Sequence, residues 1–204
     1  MPEFKTPLRD MKFLLHEVFD YDSHYATLPN GEEATPDVVD AILEESARFA
    51  ESEIGPINQS GDEEGCKLED GKVTTPKGFK EAYDTYRDSG WPSLSHPTEY
   101  GGQGLPMSLG LIKHEIMATA NWSWSMYPGL SIGAMNTIFI HGTDEQKQKY
   151  LNPLVSGEWM GTMCLTEPQC GTDLGQVKTK AEPNGDGTFK ITGTKIFISS
   201  GDHD

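Results

Sequence analysis

The chain has 204 residues, 35% of them hydrophobic and 24% charged, the balance of a globular protein with room for one domain and the start of another. Its 32 acidic residues against 16 basic ones leave a net charge of −16, a field that repels nucleic acid and anionic membrane surfaces, and no basic stripe offsets it. No apolar run is long enough to cross a bilayer, and MPEFKTPLRD lacks the apolar stretch of a secretory signal, so a cytoplasmic location is the expectation.

Residues 1–34 stand apart as a leading segment. Met11, Phe13, Leu14, Leu15 and Val18 predict one short amphipathic helix there, followed by the polar link Leu28-Pro-Asn-Gly-Glu-Glu33. Thr35-Pro36 is an N-cap with proline in the first turn. Val39, Ile42, Leu43, Ser46, Ala50 and Ile54 follow at spacings of three and four and end at Gly55-Pro56, which predicts a helix. Thr75-Pro76 repeats the start signal ahead of Phe79, Ala82, Tyr83 and Tyr86. A segment from Pro106 carries Leu109, Ile112, Ile116 and Met117, and the apolar stretch 132–140 predicts a buried helix. Thr143-Asp-Glu-Gln146 fits a capping box opening a helix through Tyr150, Leu151, Leu154 and Val155. These stripes read as core packing.

The period then changes near Gly157–Gly161. Short strands are predicted over 160–165, 177–181, 188–192 and 195–199, with Pro183-Asn-Gly-Asp-Gly187 as the turn between the middle two. The expected fold class is therefore α+β. An all-helical domain over 35–158 is followed over 159–204 by the start of an antiparallel β-domain, a truncated sheet with an open edge.

Three cysteines, Cys66, Cys164 and Cys170, are odd in number and form no CxxC, so they read as reduced thiols. The six histidines make no metal-binding pair; His114-Glu115 begins like a zinc-protease helix but lacks the second ligand. Two local patterns bear on chemistry. Gly129-Leu-Ser131-Ile-Gly133 matches the GxSxG elbow of serine hydrolases, with Asp173 and His203 following in order, but the elbow needs a strand before it and Pro128 stands there instead. In 163–173, a strand delivers the Thr166 hydroxyl to a loop. There Gly171 permits close approach of a ligand, and Thr172 with successive N–H groups suits an anion or carbonyl. A helical interaction module without catalysis is the remaining alternative.

Five blocks carry a resemblance: His96-Pro-Thr-Glu-Tyr-Gly-Gly-Gln-Gly104, His141-Gly-Thr-Asp-Glu-Gln-Lys-Gln-Lys-Tyr-Leu151, Ser156-Gly-Glu158, Leu165-Thr-Glu-Pro168 with Gly171-Thr-Asp173, and Gly193-Thr-Lys-Ile-Phe-Ile-Ser199. In this order the chain, over about residues 35–204, resembles the acyl-CoA dehydrogenase family, and its leading segment resembles the extension of one subgroup. The resemblance implies an FAD-dependent α,β-dehydrogenation of an acyl-CoA thioester to the trans-2-enoyl-CoA, as in fatty-acid β-oxidation, with hydride passing to flavin N5. It implies an electron-transferring flavoprotein as electron acceptor and a dimer or tetramer when full length. It places FAD between the β-domain and a second helical domain beyond Asp204. That domain supplies the catalytic glutamate, so no catalytic residue is expected in this chain and the 204 residues alone should be inactive. Met163, Leu165 and Thr166 would line the isoalloxazine, with Thr166 on its pyrimidine edge. Gly171 and Thr172 would sit by the pyrophosphate and the acyl-CoA. Phe197 stands where the family often has tryptophan, Ser199 where it has threonine near N5, and Met163 where it has an aromatic. No metal is implied.

Overall fold

The computed structural model describes residues 3–204, which divide into two units: Thr162–Gly201, and the rest of the chain with 202–204. In the larger unit the leading segment forms α1 (Leu8–Lys12), which runs on through wider turns over Phe13–Val18, and α2 (Tyr21–Tyr25). Charge holds it to α3 (Pro36–Phe49) and the turns of Ala50–Ile54 that prolong α3. Lys5 reaches Glu51 at 3.0 Å, Lys12 reaches Asp40 at 2.9 Å, and His16 lies between Asp22 at 2.8 Å and Asp40 at 3.1 Å.

Thr35 caps α3 as its position asks, accepting the Val38 N–H, and the apolar face behind it buries Val39, Leu43, Ala47 and Ile54. After α4 (Asn58–Glu64) comes a hairpin that the apolar pattern does not announce, β1 (Lys67–Glu69) and β2 (Lys72–Thr74). Asp70 and Gly71 turn it at φ +50° and +76°, a pair of left-handed residues that an Asp-Gly dipeptide accepts readily. The next helix, α5 (Phe79–Asp88), starts a turn later than Thr75-Pro76 suggests. Its N-cap is Gly78, at φ +92°, and the Thr75 amide and hydroxyl instead donate to Asp204 Oδ1, at 2.9 and 2.7 Å.

Three helices complete the unit: α6 (Met107–Ala120), α7 (Trp122–His141) and α8 (Asp144–Val155). Asn121 separates the first two and satisfies both sides, accepting the Trp124 N–H at 3.0 Å and donating to Ile54 O at 3.0 Å. So α7 is twenty residues long, begins ten residues before the apolar stretch, and carries Pro128 in its interior. The capping box at Thr143 and Gln146 forms as the sequence predicts. Leu43, Ile54, Leu109, Ile116 and Trp124 centre the main core, while Met135, Leu151, Leu154 and Val155 make a second cluster between α7 and α8. No helix among the described residues is long and apolar enough to cross a membrane.

In the smaller unit β3 (Lys180–Pro183) pairs antiparallel with β4 (Phe189–Thr192), from Lys180 opposite Thr192 to Pro183 opposite Phe189. The strands predicted over 160–165 and 195–199 do not form. One backbone bond, Ile196 N–H to Thr166 O at 2.9 Å, ties the second segment to the residue just past the first, and Phe197 at φ +55° turns the chain out of the extended region before a ladder can grow. The fold is α+β all the same: a helical unit followed by a small antiparallel β unit.

The main core contains a lysine. Lys113 is buried, and its ammonium donates to Tyr86 Oη and to Trp91 O, both at 3.0 Å, with no carboxylate beside it. Burial pushes its pKa down to about 8. Unfolded, the same amine titrates near 10.4. Between these values the unfolded chain holds a proton that the folded chain has released, so stability gains as pH rises through the window. Relative to a Lys113→Met variant, the parent should therefore gain about 3 kcal/mol in urea unfolding between pH 7 and pH 10.5, from 1.36 kcal/mol per pKa unit. A constant difference across that range would contradict the assignment.

Candidate functional site

A carboxylate inside the Thr162–Gly201 unit needs donors, and Glu167 has four. Its side chain is 3% exposed and accepts from the Lys178 N–H at 2.8 Å, the Thr179 N–H at 3.0 Å, Gln169 Nε2 at 2.6 Å and Lys195 Nζ at 2.8 Å. Lys195, then Thr179 and Lys178, hold its carboxyl well below the usual carboxylate range, against the effect of its own burial. Glu167 also closes the turn, its N–H and C=O both bonded to Cys170. Such a carboxylate is a structural anion and not a proton acceptor at neutral pH.

Around this hub the chain brings two of the predicted segments together. Lys195 Nζ donates to Leu165 O at 2.9 Å, and Ile196 N–H to Thr166 O at 2.9 Å. Thr162 Oγ1 donates to Ser199 O at 2.7 Å. Met163, Leu165 and Thr166 thus lie on one segment, Phe197 and Ser199 on the segment bonded to it. Met163 is 62% exposed, Leu165 37% and Phe197 86%, so three apolar side chains stand in solvent beside the Thr166 and Ser199 residues.

Gly171 lies against Thr166: a Cβ added to it would stand 3.4 Å from Thr166 Cγ2, ordinary contact, and its φ is not left-handed. The fold itself does not demand glycine there. Thr172 is exposed, its carbonyl accepting the Leu174 N–H at 3.1 Å, and no hydrogen bond among the described residues ties it to 195–199. The next N–H groups are not available to an anion as the sequence suggests. Leu174 is bonded to Thr172 O, Gly175 to Asp173 Oδ1 and Gln176 to Asp173 O. The N–H groups of residues 171–173 make no hydrogen bond among the described residues.

The hydrolase elbow is overturned. Ser131 sits in the middle of α7, buried, where its Oγ accepts the Gly161 N–H at 3.0 Å. A nucleophile elbow requires a strand-to-helix turn with an exposed hydroxyl. Neither Glu167 nor Lys195 is among the site residues that the sequence suggests, although both stand in the blocks that carry the resemblance.

The model of the acyl-CoA dehydrogenase N-terminal domain matches residues 37–158. The chain belongs to the acyl-CoA dehydrogenase family. It is 45% identical over 201 residues to the 3-methylmercaptopropionyl-CoA dehydrogenase of Ruegeria pomeroyi, a match that covers 98% of this chain and 34% of that protein. The butyryl-CoA dehydrogenase of Megasphaera elsdenii superimposes with a TM-score of 0.67 at 28% identity, over 79% of this chain and 40% of that one. The acyl-CoA dehydrogenase of Bacillus anthracis complexed with FAD gives 0.65 at 26%, over 78% and 26%. The chain spans about a third of the length of the curated relatives it matches. The match to the first relative runs through the leading segment, as the resemblance of that segment to a subgroup extension implies.

A Gly171→Ala variant should fold as stably as the parent, within about 0.5 kcal/mol, the range of a substitution that meets no clash. Chemical denaturation checks this, and a loss beyond about 1.5 kcal/mol would mean that the backbone itself needs the glycine.

Proposed function

We propose that this chain is the front part of an FAD-dependent acyl-CoA dehydrogenase, which removes hydrogen from the α and β carbons of an acyl-CoA thioester to give the trans-2-enoyl-CoA. The observation that carries the reading is the pair of bonded segments. Exposed Met163, Leu165 and Phe197 form the apolar part of a surface, and Thr166 and Ser199 bring hydroxyls to the same two segments. An aromatic plate beside hydroxyls suits the donor and acceptor edge of an isoalloxazine, so the residues present fit the group. FAD, when bound, supplies the hydride acceptor.

The chain's own residues bind and orient. The exposed Phe197 ring excludes water from one side of a planar ligand, Met163 and Leu165 add apolar contact, and the Thr166 and Ser199 hydroxyls set its in-plane orientation. Gly171 keeps the loop narrow where a phosphate-bearing ligand would approach, and the N–H groups of residues 171–173 together with the Thr172 hydroxyl are the donors left for it or for acyl-CoA. In a chain of net charge −16 those neutral donors are the means of holding phosphate.

Glu167 does not remove the α-proton. Glu167 is saturated by four donors, so the base is supplied from the remainder of a full-length protein, where hydrogen bonds to the thioester oxygen stabilise developing enolate charge. Electrons leave to an electron-transferring flavoprotein, and the full-length protein assembles as a dimer or tetramer.

The 204 residues alone should bind FAD weakly and not turn over. Purified in excess FAD and gel-filtered, the chain should show little visible absorption and no bleaching by butyryl-CoA, whereas a chain of the relatives' full length should retain yellow flavin that the acyl-CoA bleaches. Stoichiometric, bleachable flavin on the 204 residues would contradict the division of labour. A full-length protein whose flavin no acyl-CoA bleaches would contradict the activity.

A further inference from the structure

Phe197 is held in an unfavourable state. Its φ of +55° lies in the left-handed region, which costs a residue other than glycine about 1 kcal/mol or more. The ring recovers nothing by burial, being 86% exposed. A conformation of this kind persists only where its flanks over-determine it. Those flanks are visible. Before Phe197, Lys195 Nζ bridges Glu167 Oε1 at 2.8 Å and Leu165 O at 2.9 Å, and Ile196 N–H bonds Thr166 O. After it, Thr162 Oγ1 holds Ser199 O, and Gly201 N–H closes on Ile198 O at 3.1 Å.

The strongest of these contacts is the ion pair. The Glu167 side chain is 3% exposed and that of Lys195 22%, so water screens the pair poorly and the hydrogen bond is charge-assisted. Glu167 is in turn fixed by the Lys178 and Thr179 amides, which lead directly into β3. The anchor is thus tied to the only sheet in this unit.

We propose that Glu167 and Lys195 are positioning residues: their ion pair clamps the 195–199 segment to the Leu165–Thr166 backbone, and so holds Phe197 in its left-handed backbone with the ring presented outward as a preformed wall for a planar ligand. Only the identity of that ligand rests on the flavin reading above. The clamp belongs to this chain. A wall that is already set needs no ordering when the ligand arrives, so binding does not bear that cost.

The test is amide hydrogen exchange on the 204-residue chain without flavin, read by NMR at Ile196, with Glu182 and Lys190, a hydrogen-bonded pair of the hairpin, as references. Lys195→Met should speed exchange at Ile196 about tenfold, the scale of one lost charge-assisted hydrogen bond, with the hairpin unchanged. Lys195→Arg, which keeps the charge and the donors, should restore protection to within about threefold. Adding Phe197→Gly to Lys195→Met should also recover most of it, because glycine adopts φ +55° without strain. A merely structural lysine would not be rescued by a change at Phe197. Unaltered exchange at Ile196 in Lys195→Met overturns the clamp, and failure of Phe197→Gly to restore protection overturns its link to Phe197. If Lys195→Met exposes the hairpin as well, Phe197→Gly alone decides: slower exchange at Ile196 than in the parent supports a strained Phe197, and equal or faster exchange overturns it. These readings contain no flavin, so they hold or fail separately from the FAD experiments.

Discussion

The Glu167 carboxylate is the constraint on which the Thr162–Gly201 unit depends. An ionised carboxylate taken from water is costly unless its oxygens are fully bonded, and here two backbone amides, an amide side chain and an ammonium meet it. Because these donors come from residues 169, 178, 179 and 195, satisfying one charge draws three stretches of a sequence with little apolar surface to bury into one arrangement. The unit's hairpin is exposed on every residue of both strands, so sheet packing cannot do this work. Electrostatic satisfaction takes the place of a hydrophobic core.

The same saturation separates structure from chemistry. A carboxylate with four donors is a poor base, and Lys195 is committed to that carboxylate and to a carbonyl. On the proposed reading this unit offers a ligand shape, apolar contact and hydroxyls, with its one ion pair engaged in the fold. That division matches a flavoenzyme in which the cofactor performs the redox step and the protein places it.

The helical unit was largely legible because its signals are local. The Thr35 cap and the Thr143–Gln146 capping box depend on neighbours three residues away, and the stripes through Leu43 and Ile116 depend on helical period alone. The failures have distant causes. Thr75 looks like a cap, but the helix begins only after Gly78, and Thr75 bonds to Asp204, far along the chain. The Asp70-Gly71 turn was legible in principle and was missed because β1 and β2 have no buried face to show an apolar alternation. In the site, residue types and their order were visible in the motifs, whereas the two bonded segments were read as strands. Periodicity could not reveal that Phe197 leaves the extended region, nor that Lys195 and Glu167 carry the joint.

The central claim is that 163–173 and 195–199 form one ligand-binding surface for a flavin. The most direct measurement is a titration of the 15N-labelled chain with FAD into the millimolar range, following amide shifts. The account predicts that Thr166, Thr172, Phe197 and Ser199 move together along one binding curve while the residues of α3 and α6 stay still. Shifts confined to the helical unit, or to only one of the two segments, or no shifts at all, would contradict it.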